Sequence, residues 1–183
     1  GFDPLKGEQG VPTESVYSRF FGKLMRHAEL VEEMFEVLVE RVRRLLPDYG
    51  RDLAVDSKAL ATHGHKDGDA TWGVKTYRGI GADGKPWEVV KRWFGYKLHL
   101  IVDAHYELPV TWEMTQASAA DSPRLMPMVR KMAARHRRLV KRAKTMAGDK
   151  GYDDGADKAE LYDEYAVLPL MDRRGLQHEE SGG

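Results

Sequence analysis

Between Trp93 and Thr115 the chain reads WFGYKLHLIVDAHYELPVTWEMT, and this stretch limits the fold more than any other. Tyr96, Leu98, Leu100 and Val102 alternate with Lys97, His99 and Ile101, the segment DAHYELP supplies turn residues, and Val110, Trp112 and Met114 then alternate with Thr111, Glu113 and Thr115. A two-residue apolar period on both sides of a turn predicts an antiparallel hairpin. A lone hairpin is marginal in water, so other segments must cover it.

Those segments lie on both sides. TESVYSRFFGKL (Thr13 to Leu24) follows Pro12 with a capping threonine and sets Val16, Phe20, Phe21 and Leu24 at helical spacing. HAELVEEMFEVLVERVRRLL places Leu30, Val31, Met34, Leu38, Val42 and Leu45 on one stripe, with acids early and arginines late, and Pro47 ends it. RDLAVDSKAL alternates around Leu53 and Val55 and reads as a first strand with Asp56 at its end. Residues 62 to 88 hold Gly64, Gly68, Gly73, Gly79, Gly81 and Gly84 among charges, a pattern that predicts a long exposed insertion without a packed element.

After the hairpin, Asp121, Ser122 and Pro123 form a helix start with serine as cap, and Leu125, Val129, Met132, His136 and Leu139 form the buried stripe of that helix. AKTMAGD is a short strand ending at Asp149, DKAELYDEY a helix and AVLPLMD a last strand. A hairpin followed by alternating helices and strands predicts an α/β fold, a mixed sheet flanked by helices, behind an N-terminal helical segment. The boundaries expected are 1–50 for the helical region, 51–175 for the core with its glycine-rich insertion near 62–88, and 176–183 for a tail.

At 183 residues and 42% hydrophobic content the chain has material for one core. It has no apolar run long enough for a membrane span and no secretory leader, so a soluble, non-secreted protein is expected. With no cysteine, any metal falls to oxygen or imidazole. The 29 basic and 29 acidic residues balance, which argues against a generally basic nucleic-acid binder. Their distribution argues the other way, because RKMAARHRRLVKRAK (Arg130 to Lys144) has eight basic residues and no acid. Arg130, Lys131, Arg135, Arg137, Arg138, Lys141 and Arg142 are therefore candidate phosphate contacts, against the reading of a solvated helix face. Trp72, Tyr77, Trp87 and Trp93, in or beside the glycine-rich stretch, offer rings on which unpaired bases could stack.

Asp56 and Asp149 each follow a short apolar strand. If those strands are parallel neighbours, the carboxylates converge, and converging carboxylates repel unless a cation lies between them. Hard oxygen ligands favour Mg²⁺ or Mn²⁺, and a two-metal site of this kind suits in-line phosphoryl transfer. The competing reading is two acidic turn residues. His63 and His65 are read as exposed polar residues, and His99 and His136 as structural.

Taken together, LAVDSKAL, FGYKLHLIVDAHYELPVTWEMTQASAADSPRLMPMV, AGDKGYDD and YAVLPLMDRRG resemble the bacterial insertion-sequence transposases of the DDE superfamily, over most of Arg51 to Gly175. The resemblance implies a ribonuclease-H-like core, with Asp56 and Asp149 as the first two metal-binding acids. It implies metal-dependent cleavage at a transposon end followed by strand transfer into target double-stranded DNA, a possible homodimer, and a cytoplasmic, nucleoid-associated location. The helices before Arg51 would recognise element ends or a partner subunit. Family members carry a third acid, a glutamate on a helix after the last strand, and nothing after Asp149 has that spacing; Glu179 and Glu180 are not assigned to the role. The expectation is a transposase cut before its third acid. Two alternatives stay open, a noncatalytic DNA-binding remnant and another ribonuclease-H-like nuclease.

Overall fold

A computed structural model describes residues 13–62 and 68–172. His63 and His65, and Glu179 and Glu180, lie outside the described residues. The chain divides into two compact units, Gly1–Val42 and Arg43–Gly183.

In the first unit, α1 (Glu14–Met25) starts after Thr13, which takes the extended cap conformation but directs its hydroxyl to Ser15 (3.1 Å) instead of capping the helix. The helix α2 (Ala28–Leu45) begins in this unit and runs out of it, and its only buried residue is Val39. The stripe expected to be core is instead exposed at Leu30, Met34 and Leu38. Helical periodicity specifies an apolar face; it does not specify that the same chain covers it.

The second unit is built on a six-stranded sheet: β1 (Asp52–Ala61), β2 (Thr71–Ile80), β3 (Pro86–Asp103), β4 (Pro109–Gln116), β5 (Thr145–Gly148) and β6 (Leu168–Met171), ordered β2-β3-β1-β5-β6 with β4 also paired to β3. The pairs among β1, β2, β3 and β4 are antiparallel, whereas β1 with β5 and β5 with β6 are parallel. Three helices, α3 (Leu125–Arg135), α4 (Arg137–Arg142) and α5 (Gly155–Tyr165), complete the unit. This is a mixed sheet flanked by helices, as expected of a ribonuclease-H-like fold. Leu53, Val55, Ile101, Leu125, Met128, Met132, Leu139, Met146 and Leu161 form its buried core. Among the described residues no helix is long and apolar enough to cross a membrane.

Four expectations need correction. Residues 71–80 and 86–94 are strands, not an unpacked insertion. Thr71, Trp72, Val74, Thr76, Tyr77 and Ile80 are strand formers, and Gly73 and Gly79 lie directly across from Trp93 and Trp87, whose rings occupy the space a side chain would take. The turn keeps its glycines, with Gly84 at φ 75° and its amide donating to the Gly81 carbonyl (2.9 Å). Asp56 is mid-strand, because β1 continues to Ala61 against β3.

The buried face of the central hairpin is also the opposite one: His99 and Ile101 are fully buried, while Tyr96, Leu98, Leu100 and Val102 are half-buried. Two polar side chains, Lys97 and His99, disguised that face in the sequence. Finally, Ser122–Arg124 form a separate 3-10 turn with Asp121, not Ser122, at its cap position, and the long helix breaks at His136 (φ −129°, ψ 55°) into α3 and α4. The buried stripe Leu125, Val129, Met132, His136 and Leu139 is as the spacing predicts.

One buried charge ties the sheet to its entry. Asp103, 1% exposed, accepts from the Gly50 amide with one oxygen (2.6 Å) and from the His105 and Tyr106 amides with the other (3.0 and 2.7 Å). It closes the β3–β4 turn and holds the chain just before β1. Removing it leaves three amides without their acceptor, so Asp103→Ala is expected to lower unfolding free energy by roughly 3 kcal/mol, measured by urea denaturation with an unchanged m-value.

Candidate active site

The parallel register Asp52↔Thr145, Leu53↔Met146, Ala54↔Ala147, Val55↔Gly148 brings Asp56 and Asp149 to the next equivalent position on adjacent chains. Adjacent strands lie roughly 4.8 Å apart, so the two acids are neighbours. β5 stops at Gly148 and the chain turns into a 3-10 segment, Lys150–Tyr152, while β1 runs on with β3 alone. The sheet therefore forks at the two aspartates and a cleft of about 660 Å³ opens there, with both acids in its wall.

Asp56 Oδ1 accepts from the Ser57 amide (2.7 Å) and Asp149 Oδ1 from the Gly151 amide (2.8 Å). Among the described residues neither carboxylate has a cationic partner, and the second oxygen of each is left for a ligand. The pair fits a hard divalent cation by the chemistry of its donors. It is a partial set, since among the described residues no three His, Asp or Glu side chains are drawn together closely enough to chelate an ion.

A third acid in the cleft escaped the sequence reading. Asp121 follows β4 and, 22% exposed, accepts from Lys97 Nζ (3.0 Å), whose ammonium also donates to the Ala119 carbonyl (2.7 Å). Gly151 separates it from Asp149: a Cβ there would lie 2.8 Å from Asp149 Oδ1 and 3.2 Å from Asp121 Oδ2. A side chain at Gly151 would push these carboxylates apart. In sequence Asp121 looked like part of a helix start, and its partner Lys97 lay in another hairpin strand, so no local signal joined them.

Beneath the acids lies a buried polar layer. Tyr152 is fully buried, with its hydroxyl 3.3 Å from His99 Nδ1, and His99 Nε2 is 2.9 Å from Thr115 Oγ1. The Tyr152 phenol is pushed well above its ordinary value, first by burial and then by Asp121, with Asp56 and Asp149 adding to the rise and a hydrogen bond with Ser57 opposing it. All three carboxylates therefore bear on one hydroxyl, which stays protonated and available as a donor. His99 is pulled below its ordinary value, chiefly by burial, although Asp121 and Glu113 draw it upward. Its expected structural role fits this placement.

The basic run lies elsewhere. Arg130 makes a bidentate pair with Glu160, Lys131 donates to the Trp112 carbonyl (3.1 Å), and Arg142 donates to the Pro47 carbonyl (2.6 Å). Arg135, Arg137, Arg138 and Lys141 are exposed, and none of the seven residues lines the cleft. The cleft draws its cations from the sheet, among them Lys58, Lys75, Lys91, Arg92 and Lys97, with Tyr77 and Trp93 beside them. Lys75 with Tyr77 and Lys91 with Trp93, each two apart on paired strands, were the sequence signal that a glycine count obscured.

The low pKa of His99 has a definite sign. The folded state prefers the neutral imidazole, so this contribution to stability is complete above the ordinary histidine value and is lost as pH falls below it. Between about pH 7.5 and about 5 the thermal midpoint should fall, and His99→Asn should flatten that slope. Parallel slopes in the two proteins would count against the buried neutral imidazole.

A family model described as "Transposase DDE domain" matches residues 50–180. No curated protein and no solved structure matches the chain.

Proposed function

The chain belongs to the transposase DDE-domain family, and from that premise we propose that the cleft at Asp56 and Asp149 cuts and rejoins DNA strands during movement of a bacterial insertion sequence. The observation that carries this reading is the parallel β1:β5 register, which sets two carboxylates without cationic partners side by side in a cleft also lined by Lys58, Lys75, Lys91, Arg92, Lys97 and Lys150. In this reading residues 51–175 form the catalytic core. Residues 1–50 contact element ends or a second subunit, and two copies act together on two ends.

Asp56 and Asp149 would hold Mg²⁺ or Mn²⁺, which when bound supplies a water of lowered pKa for attack and charge neutralisation on the phosphate. The chain's own groups do the rest. The Ser57 and Gly151 amides fix one oxygen of each carboxylate and so orient the other toward the cleft. Lys97, held by Asp121, places a positive charge near the same space, and Lys58 and Lys150 line it as well. These charges favour an incoming phosphodiester and raise its local concentration, with an affinity that falls steeply with salt. The exposed arginines of the α3–α4 segment are proposed to add phosphate contacts outside the cleft.

Mn²⁺ binding to the 183-residue chain, followed by water-proton relaxation, tests the metal assignment. Asp56→Asn and Asp149→Asn should each weaken it roughly tenfold or more, since even partners one shell further out change metal affinity by about that factor. In a Mn²⁺-dependent nicking assay with a longer form of the chain that carries a third acid, Asp149→Ala should abolish strand cleavage with the circular dichroism unchanged. Salt-dependent DNA binding that ignores both aspartates and metal would instead favour the noncatalytic reading.

A further inference from the structure

The β2–β3 hairpin extends beyond the core sheet and has two faces of different character. Strand alternation puts Val74↔Arg92, Thr76↔Val90 and Arg78↔Glu88 on one face, and Gly73↔Trp93, Lys75↔Lys91, Tyr77↔Val89 and Gly79↔Trp87 on the other. On the first face the charges directly opposite each other are complementary, and Arg78 and Glu88 form an ion pair. On the second face the residues directly opposite are two lysines. Like charges at that position destabilise a strand pair, and among the described residues neither lysine has an acidic partner.

What the lysines do have is a ring. Lys75 Nζ and Lys91 Nζ lie 5.8 and 5.3 Å from the centre of the Tyr77 ring. Trp93 lies across Gly73 and Trp87 across Gly79, so each indole rests on bare backbone. The Trp93 indole is held by its bond to the Tyr96 carbonyl (3.0 Å). The order along this face is Trp93, the lysine pair, Tyr77, Trp87, with roughly 6.8 Å between successive positions. Trp93 and Tyr77 and both lysines line the cleft of Asp56 and Asp149, and β3 carries the same face onward to Lys97, which lies across from Ala59 of β1.

We propose that this face is a docking platform for a single-stranded DNA segment next to the phosphate held at the two aspartates. Lys75 and Lys91 take its backbone phosphates, and Tyr77, Trp87 and Trp93 take its unpaired bases. The proposal rests on the reading of the cleft as a DNA-processing site, though not on its metal. A phosphate between the lysines removes the repulsion that the hairpin otherwise tolerates, and flat rings on a cationic ribbon bind bases without regard to sequence. A duplex keeps its bases stacked on one another, so it offers the rings nothing comparable.

The test is fluorescence anisotropy of a labelled single strand of about 16 nucleotides, in EDTA, with the 183-residue chain. Lys75→Gln with Lys91→Gln should weaken binding at least tenfold and reduce the salt slope by about 1.4. The same change should raise the thermal midpoint, because it removes the like-charge pair; lost affinity in a more stable protein cannot come from unfolding. Tyr77→Ala should cost about tenfold in affinity for the single strand, and Tyr77→Phe should restore most of it. Unchanged affinity and slope in the double lysine variant would overturn the platform. A Tyr77→Ala loss shared equally by a duplex of the same sequence would overturn the stacking. Because these measurements need no metal, they separate from the Mn²⁺ results: an intact platform with metal binding indifferent to Asp56 and Asp149 would sink the metal reading alone.

Discussion

The candidate site depends on one piece of pairing, the four-residue parallel ladder between β1 and β5. Parallel pairing cannot be made by a tight turn, so the chain between the two strands must cross over, and here it uses that path for the hairpins and the α3–α4 segment. A shift of one residue would move Asp149 away from Asp56 and turn Met146 out of the core. Met146 is fully buried, as are Leu53 and Val55 beside it, so the hydrophobic packing that stabilises the ladder also enforces the juxtaposition of the acids. Core and chemistry share a register.

The polar layer under the cleft is the second condition. Three carboxylates near one another would repel, and the structure offsets this without joining them in one cluster. Asp121 has Lys97, and Asp56 and Asp149 each have an amide on one oxygen. Burial pushes the Tyr152 phenol up and pulls the His99 imidazole down, so both favour their neutral forms among the acids. Gly151 keeps the space between Asp149 and Asp121 open.

Much of this was legible in the sequence where a signal was local. The alternation around Leu53 and Val55, the turn after Val102 and the stripe from Leu125 to Leu139 each give an element close to the observed one. What failed were features whose cause lies in another segment. Gly73 and Gly79 look like strand breakers until Trp93 and Trp87 are set across from them. The alternation sets Lys97 and His99 off the apolar face until Asp121 and Tyr152 supply their partners. Asp121 looks like no more than part of a helix start until Lys97 is set beside it. Leu30, Met34 and Leu38 fail in the other direction, since a clear periodicity is not matched by burial within the chain.

The length of β3 joins the two parts of the proposed function. Its 18 residues pair first with β2 and then with β1 and β4, and the change of partner falls at Gly95 (φ 149°), where a Cβ would collide with the Leu60 carbonyl. Only glycine lets the strand pass that point with its ladder intact. A continuous strand transmits position far better than a loop, so Lys91 and Trp93 are placed relative to His99 and Ile101 by backbone pairing alone. A cleft that must hold one phosphate near two carboxylates needs the adjoining strand aligned to well under its own width, and an unbroken β3 supplies that alignment from the core outward.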